Sequence, residues 1–212
     1  MNRISVALVV SALLTAPVGA KTLTVALDVS GSNPLVSDAR YAQIAAGYVR
    51  DKVSALQPGD VVSLHTLADR SLANFPSERI EITRRNRADK VAARIAQFMA
   101  TMPTRHFEGQ ESTNIMGFFA FGQFDCTQGG EILLVTDGIE SSPDMKAERL
   151  LAGKPLPKPD KNLLSGCTVT MFGVGQASAG GQLSPVEVKH IRAAWTSWMT
   201  VAGAHYNAII DP

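Results

Sequence analysis

Asp28, Ser30 and Ser32 stand at alternate positions in the run Thr24-Val25-Ala26-Leu27-Asp28-Val29-Ser30-Gly31-Ser32. One carboxylate and two hydroxyls leaving the end of an apolar strand are small, hard oxygen donors, the kind that suit Mg²⁺, Mn²⁺ or Ca²⁺. Gly31 lets the backbone fold so that the three side chains address one centre. Taken alone, the run equally describes a strand ending in a Ser/Gly turn with Asp28 as its cap. Two further segments supply oxygen: Ser112-Thr113-Asn114-Ile115 carries Thr113, and Leu133-Leu134-Val135-Thr136-Asp137-Gly138 ends on Asp137.

Strand and helix patterns alternate around these segments. Leu23 to Leu27 reads as a buried strand, and a helix over about 38–56 places Tyr41, Ile44, Tyr48, Val49, Val53 and Leu56 at three- and four-residue steps. Pro58-Gly59-Asp60 stops it. Strands follow at 61–67 and about 77–83, the latter polar enough for an antiparallel edge. Asn86 reads as the N-cap of a helix over 87–102 that buries Val91, Ile95, Phe98, Met99 and Met102. A third helix starts at Thr113 or Asn114 and turns Ile115, Met116, Phe119 and Phe124 inward. Strands at 131–136 and 168–174 come next, and Ser184-Pro185-Val186-Glu187 opens the last helix with a capping box and a proline at its first position. Ile191, Trp195, Trp198, Met199 and Ala202 form its inward stripe, with both tryptophans read as core. Residues 206–210 close the chain as a strand.

Such alternation implies an α/β fold, a mostly parallel sheet covered by helices on both faces. Ligands of these sheets bind outside the carboxyl ends of the strands, where the topology reverses. Asp28 and Asp137 both stand at carboxyl ends, so neighbouring strands would bring them into one crevice.

The three oxygen-bearing segments, in this order and at these intervals, resemble the von Willebrand factor type A (VWA) domain with its metal-ion-dependent adhesion site (MIDAS). The resemblance runs from about Lys21 to the last strand. It implies a Rossmann-like, doubly wound six-stranded sheet of order 3-2-1-4-5-6 with strand 3 antiparallel. It also implies a divalent cation, usually Mg²⁺, with Ser30, Ser32 and Thr113 as hydroxyl ligands and Asp28 and Asp137 holding the ion directly or through water. Neutral hydroxyls leave most of the ion's charge uncancelled, and in the family an Asp or Glu carboxylate of a partner protein completes the coordination. An ion that no partner uses, in a purely structural domain of this kind, is the second reading.

In that strand order the segments preceded by Cys126 and Cys167 are neighbours, which brings the two cysteines together on the face opposite the metal. An oxidising compartment favours their disulfide, with a pair of free buried thiols as the alternative. Closing a loop of this length contributes on the order of 3–4 kcal/mol and clamps the base of the Pro- and Lys-containing stretch 153–166.

Other acidic residues are open to two readings. Glu140 and Asp144 could tune charge at the rim, but Ser142-Pro143-Asp144 more simply reads as an N-cap with an acidic first turn. Glu108 and Glu111 are similarly ambiguous.

Enzymatic alternatives fit less well. A secreted serine esterase using Ser30 or Ser32 needs a histidine base, yet His205 precedes Asp211 with no histidine after it, and His65, His106 and His190 have no evident triad spacing. No Gly-x-Ser-x-Gly elbow occurs. A phosphotransferase would want a second aspartate where Ser30 stands. In the Gly-rich stretch 173–181, Ser178 replaces the last small residue of a dinucleotide fingerprint, so the stretch reads as a loop at the rim of the metal face.

The first 20 residues carry Arg3, an apolar centre from Ile4 to Leu14 and small residues before a cut after Ala20. They read as a secretory signal peptide, with 21–212 as one domain in the periplasm or outside the cell. No stretch reaches the roughly 18 apolar residues of a membrane span, and no cysteine at the cut invites a lipid anchor. Without Arg3 the chain has 19 basic and 19 acidic residues, a balance that steers toward neither nucleic acid nor anionic lipid. The basic cluster Arg84, Arg85, Arg87 and Lys90 reads as a solvated helix start.

Overall fold

Apolar periodicity and turn residues set the element boundaries in the computed structural model, which describes residues 19–67, 77–105, 112–127, 129–178 and 183–210. The signal-peptide reading of residues 1–20 falls outside the described residues except for its last two. His106, Glu108, Glu111 and Asp211 fall outside them altogether.

Among the described residues six strands form one sheet: β1 (Thr22–Asp28), β2 (Val61–Leu67), β3 (Ser77–Glu81), β4 (Glu131–Val135), β5 (Thr168–Phe172) and β6 (His205–Ile209). Their order is β3-β2-β1-β4-β5-β6, with β3 antiparallel to β2 and every other pair parallel. The expected α/β architecture and strand order are both present. The helices are α1 (Ala39–Ser54), α2 (Ala88–Ala100), α3 (Ile115–Phe121), α4 (Ala147–Leu151) and α5 (Pro185–Ala202).

Alternation along β1 divides the core. Leu23, Val25 and Leu27 join Val49 and Val53 of α1 and Val91, Ile95 and Met99 of α2 on one face. Ala26 joins Ile132 and Leu134 of β4, Phe119 of α3 and Ile191, Trp195 and Met199 of α5 on the other. The apolar β1 and β4 therefore sit between two helical layers, whereas β3 presents Ser77, Glu78, Arg79 and Glu81 as an exposed, hydrophilic edge.

Two helix starts differ from the sequence reading. Asn86 does not cap α2: Arg87 holds that position with no side-chain cap bond, because Thr83 Oγ1 already accepts the Arg85 and Asn86 amides and folds Asn86 into a turn. The basic cluster around it is exposed. Ser142-Pro143-Asp144 does not open a helix either. Ser142 pairs with Met145 across a tight turn, and the five-residue α4 begins after Lys146. Phe124 packs against the core from beyond the end of α3. By contrast, α5 carries its capping box: Ser184 Oγ accepts the Glu187 amide while Glu187 accepts that of Ser184.

Cys126 and Cys167 are joined as a disulfide, with their Cα atoms 4.7 Å apart. They lie just before the paired amino ends of β4 and β5, where Glu131 faces Thr168. This is the end of the sheet opposite Asp28 and Asp137. Leu156 and Leu164 of the enclosed stretch 153–166 are buried. Among the described residues no helix is long and apolar enough to cross a membrane.

Candidate metal centre

Asp28 is the last residue of β1 and has no solvent exposure. Its Oδ1 accepts the Ser30 amide at 3.0 Å and the Thr113 hydroxyl at 3.4 Å, and its Oδ2 accepts the Thr136 hydroxyl at 2.7 Å. One carboxylate thus touches residues from all three oxygen-bearing segments. Ser30 and Ser32 follow it around the turn, their hydroxyl oxygens 3.2 Å apart. Asn33 anchors the turn to the neighbouring strand by donating to the Val135 carbonyl, and its own carbonyl caps the short 3-10 turn Pro34–Val36.

Asp137 follows β4, which lies beside β1. Its Oδ1 accepts the Ile139 amide at 2.8 Å, but its Oδ2 is buried without a hydrogen bond. The next residue, Gly138, has φ 76°, a left-handed conformation that bends the chain away and is natural for glycine. Trp195 Nε1 donates to the Gly138 carbonyl at 2.8 Å, so an α5 residue read purely as core also holds this turn.

Burial dominates the electrostatics. It raises the Asp28 carboxyl against the pull of its hydrogen bonds. Asp137 is pushed up to about 7, first by burial and then by the charge of Asp28, although the nearby Ser32 hydroxyl favours its charged form. Two desolvated carboxylates facing each other are costly unless a cation lies between them. A divalent ion would reverse the sign of that interaction. The unpartnered Asp137 Oδ2 and the hydroxyls of Ser30, Ser32 and Thr113 are the donor set that a hard cation takes, so these residues fit Mg²⁺. Ser32 is partly exposed and Gly31 is exposed, which leaves the site open on the side of the first loop.

Glu140 is the functional residue that the sequence reading assigned differently. Rather than opening the next helix, its carboxylate is buried, and Oε2 accepts the amides of Ile115 at 2.8 Å and Met116 at 3.0 Å in the first turn of α3. Thr113 and Ser141 also exchange backbone hydrogen bonds. The loop bearing Asp137 is thereby laced to the loop bearing Thr113. Burial pushes Glu140 to about 7 against these amides. The Ser142 hydroxyl lies near enough to favour the charged form without forming a hydrogen bond, and both Glu140 Oε1 and Ser142 Oγ are buried and unpartnered. Thr136, bonded to Asp28 and accepting the Gly138 amide, was likewise unassigned. Asp144 is exposed and takes no part.

The stretch beginning at Gly173 does lie at the rim of this centre. Gly175 donates to the Asp137 carbonyl, while the Ser178 amide and hydroxyl reach the carbonyls of Ser32 and Gly31. Residues 179–182 are outside the described set. Neither serine of the first loop meets a described histidine in a hydrogen bond: His65 pairs with Ser63, His190 with the Leu151 carbonyl, and His205 opens β6. Among the described residues no three His, Cys, Asp or Glu side chains gather as a metal cage. The centre's character rests on hydroxyls and two carboxylates.

No protein-family model and no curated protein matches the chain. Among solved structures it is similar to an aerotolerance-related membrane protein of Bacteroides fragilis, at 17% identity and TM-score 0.45, over 90% of this chain and 92% of that one. It is also similar to the conserved hypothetical protein BatB of Bacteroides thetaiotaomicron, at 15% identity and TM-score 0.43, over 91% of each chain. Likenesses of this degree carry no residue role to this chain.

Proposed function

We propose that this chain is a VWA-type domain, exported to the periplasm or beyond, that captures a partner protein through a divalent cation. The convergence of Asp28, Ser30, Ser32, Thr113 and Asp137, with Asp137 Oδ2 left unpartnered in a buried site, carries this reading. Ser30, Ser32 and Thr113 would hold Mg²⁺, or Mn²⁺ or Ca²⁺ in its place, with Asp28 and Asp137 balancing its charge directly or through water. Mg²⁺ demands about six oxygens. A bound ion would supply Lewis acidity beside the partly exposed Ser32, where an Asp or Glu side chain of the partner would contribute a further oxygen. Thr136 and Glu140 hold Asp28 and the Thr113 loop in place. The disulfide supports export, since such bonds persist in oxidising compartments.

The test is capture of envelope proteins by the immobilised chain in Mg²⁺ and in EDTA. Capture is expected in Mg²⁺ alone and is expected to disappear in Asp28→Ala and Thr113→Ala variants that retain the wild-type circular dichroism spectrum. Undiminished capture by the metal-free protein would refute the mechanism. Mg²⁺ binding without any captured partner would assign the ion a structural role.

A further inference from the structure

A second concave site lies on the α3 side of the sheet, away from the metal loops. Register places Thr24, Ser63 and Arg79 in one cross-strand row and Ala26, His65 and Ser77 in the next. α1 and α2 pack on the opposite face, so this polar half of the sheet forms the floor of a cleft of about 390 Å³, with the end of α3 and the following loop as its wall. That volume is within the range of small-molecule sites.

The lining is hydrophilic but electrically balanced. Ser63 Oγ and His65 Nε2 are 2.8 Å apart, and burial holds the imidazole below its usual pKa, so this pair adds no charge to the floor at pH 7. Arg79 on the floor faces the ionised Asp125 on the wall, whose pKa is lowered first by hydrogen bonds from Thr127 and also by the charge of Arg79. The wall adds Gln123 and the ring of Phe121, which is 69% exposed. An aromatic ring this exposed contributes little to the core, and its negative π face suits the weakly positive C–H face of a ligand.

The lining suits a ligand with no net charge, with many donors and acceptors at short spacing and one apolar face. A lone carboxylate or phosphate would gain Arg79 only in competition with Asp125, a lone amine the reverse, and a purely apolar body would strand the hydroxyls. We propose that the cleft between β1, β2, β3 and the end of α3 binds a neutral sugar of one or two rings, stacked on Phe121 and hydrogen-bonded by Ser63, His65, Ser77 and Gln123. The site is independent of the metal centre.

The experiment is a titration of ¹⁵N-labelled protein with glucose and with cellobiose, using benzoate as an anionic control. Saturable amide shifts are expected at Ser63, His65, Phe121 and Gln123 with a sugar, unchanged in EDTA and in Asp137→Ala. Phe121→Ala, at an exposed position, is expected to weaken binding about tenfold, and Gln123→Ala to weaken it less. No saturable shift with either sugar would overturn the assignment, as would saturable binding of benzoate at these residues. Self-association abolished by Phe121→Ala would overturn it as well, by identifying a second copy as what covers the ring.

Discussion

The two ends of one sheet solve opposite problems. At the carboxyl end, the end of β1 and the loop after β4 hold Asp28, Asp137 and Glu140 in a solvent-poor space, and each carboxylate is driven toward its protonated form by burial. At the amino end, β4 and β5 are joined by the Cys126–Cys167 disulfide, and no comparable set of charges is buried among the described residues. The comparison teaches that stability and reactivity are separated along the strand direction. One end is fastened covalently, whereas the other tolerates an unfavourable arrangement that a cation would relieve.

The sharpest way to break the comparison is to remove Asp137. Asp137→Ala is expected to lower Mg²⁺ affinity by more than about a hundredfold in calorimetry and to erase the thermal stabilisation by Mg²⁺, which for the wild type should approach about 2.7 kcal/mol at a hundred times the dissociation constant. Retention of that stabilisation would place the ion elsewhere. The opposite perturbation, replacing both cysteines by alanine, should cost about 3–4 kcal/mol in denaturant unfolding while leaving Mg²⁺ affinity within about twofold. A large affinity loss would show that the two ends are coupled.

The pH dependence discriminates the ends next. Asp137 has a folded pKa of about 7, above its ordinary value of 3.8, so protons bind the folded state more tightly. Its stabilising contribution is complete below about pH 3.8 and is lost as pH rises through 7. Glu140 shifts in the same direction from 4.5. The metal-free protein should therefore lose stability, on the order of a few kcal/mol, between about pH 4 and pH 8. Saturating Mg²⁺ should restore it most at the upper end of that range, since the ion needs deprotonated ligands. Thermal melts across this interval, with and without Mg²⁺, provide the check.

Glu140→Gln is expected to have the smallest effect. The neutral amide can still accept the Ile115 and Met116 amides but is a weaker acceptor, so Mg²⁺ affinity should fall about tenfold through loosening of the Thr113 loop. Equal destabilisation of the metal-free and Mg²⁺-bound forms, with affinity unchanged, would reduce Glu140 to a purely structural brace.

What the sequence makes legible follows from the range of each interaction. The parallel strands show as apolar runs, and the start of α5 shows because Ser184 and Glu187 complete their capping box within four residues. The strand-end positions of Asp28 and Asp137 are visible for the same reason. Glu140 was not, because the helix turn it serves lies 25 positions earlier in the chain, and its local neighbours Ser142 and Pro143 imitate a helix start. Thr136 meets Asp28 across 108 positions, and Asn33 meets Val135 across 102. The misplaced cap at Asn86 is a local error: Thr83, three residues earlier, accepts the Asn86 amide and draws that residue into the preceding turn.

The hydrogen bond from Trp195 to the Gly138 carbonyl has a mechanical consequence. A pull applied to the carboxyl edge at Asp137 enters β4, which is paired with β1 on one side and β5 on the other, so the ladders on both sides must shear together rather than unzip bond by bond. Part of the load passes instead through Gly138 into α5, the longest described helix. At the far end of β4 the tension meets a covalent link to β5. Tension entering at Asp137 would thus run the length of β4, from the carboxyl end of the sheet to the disulfide at its amino end.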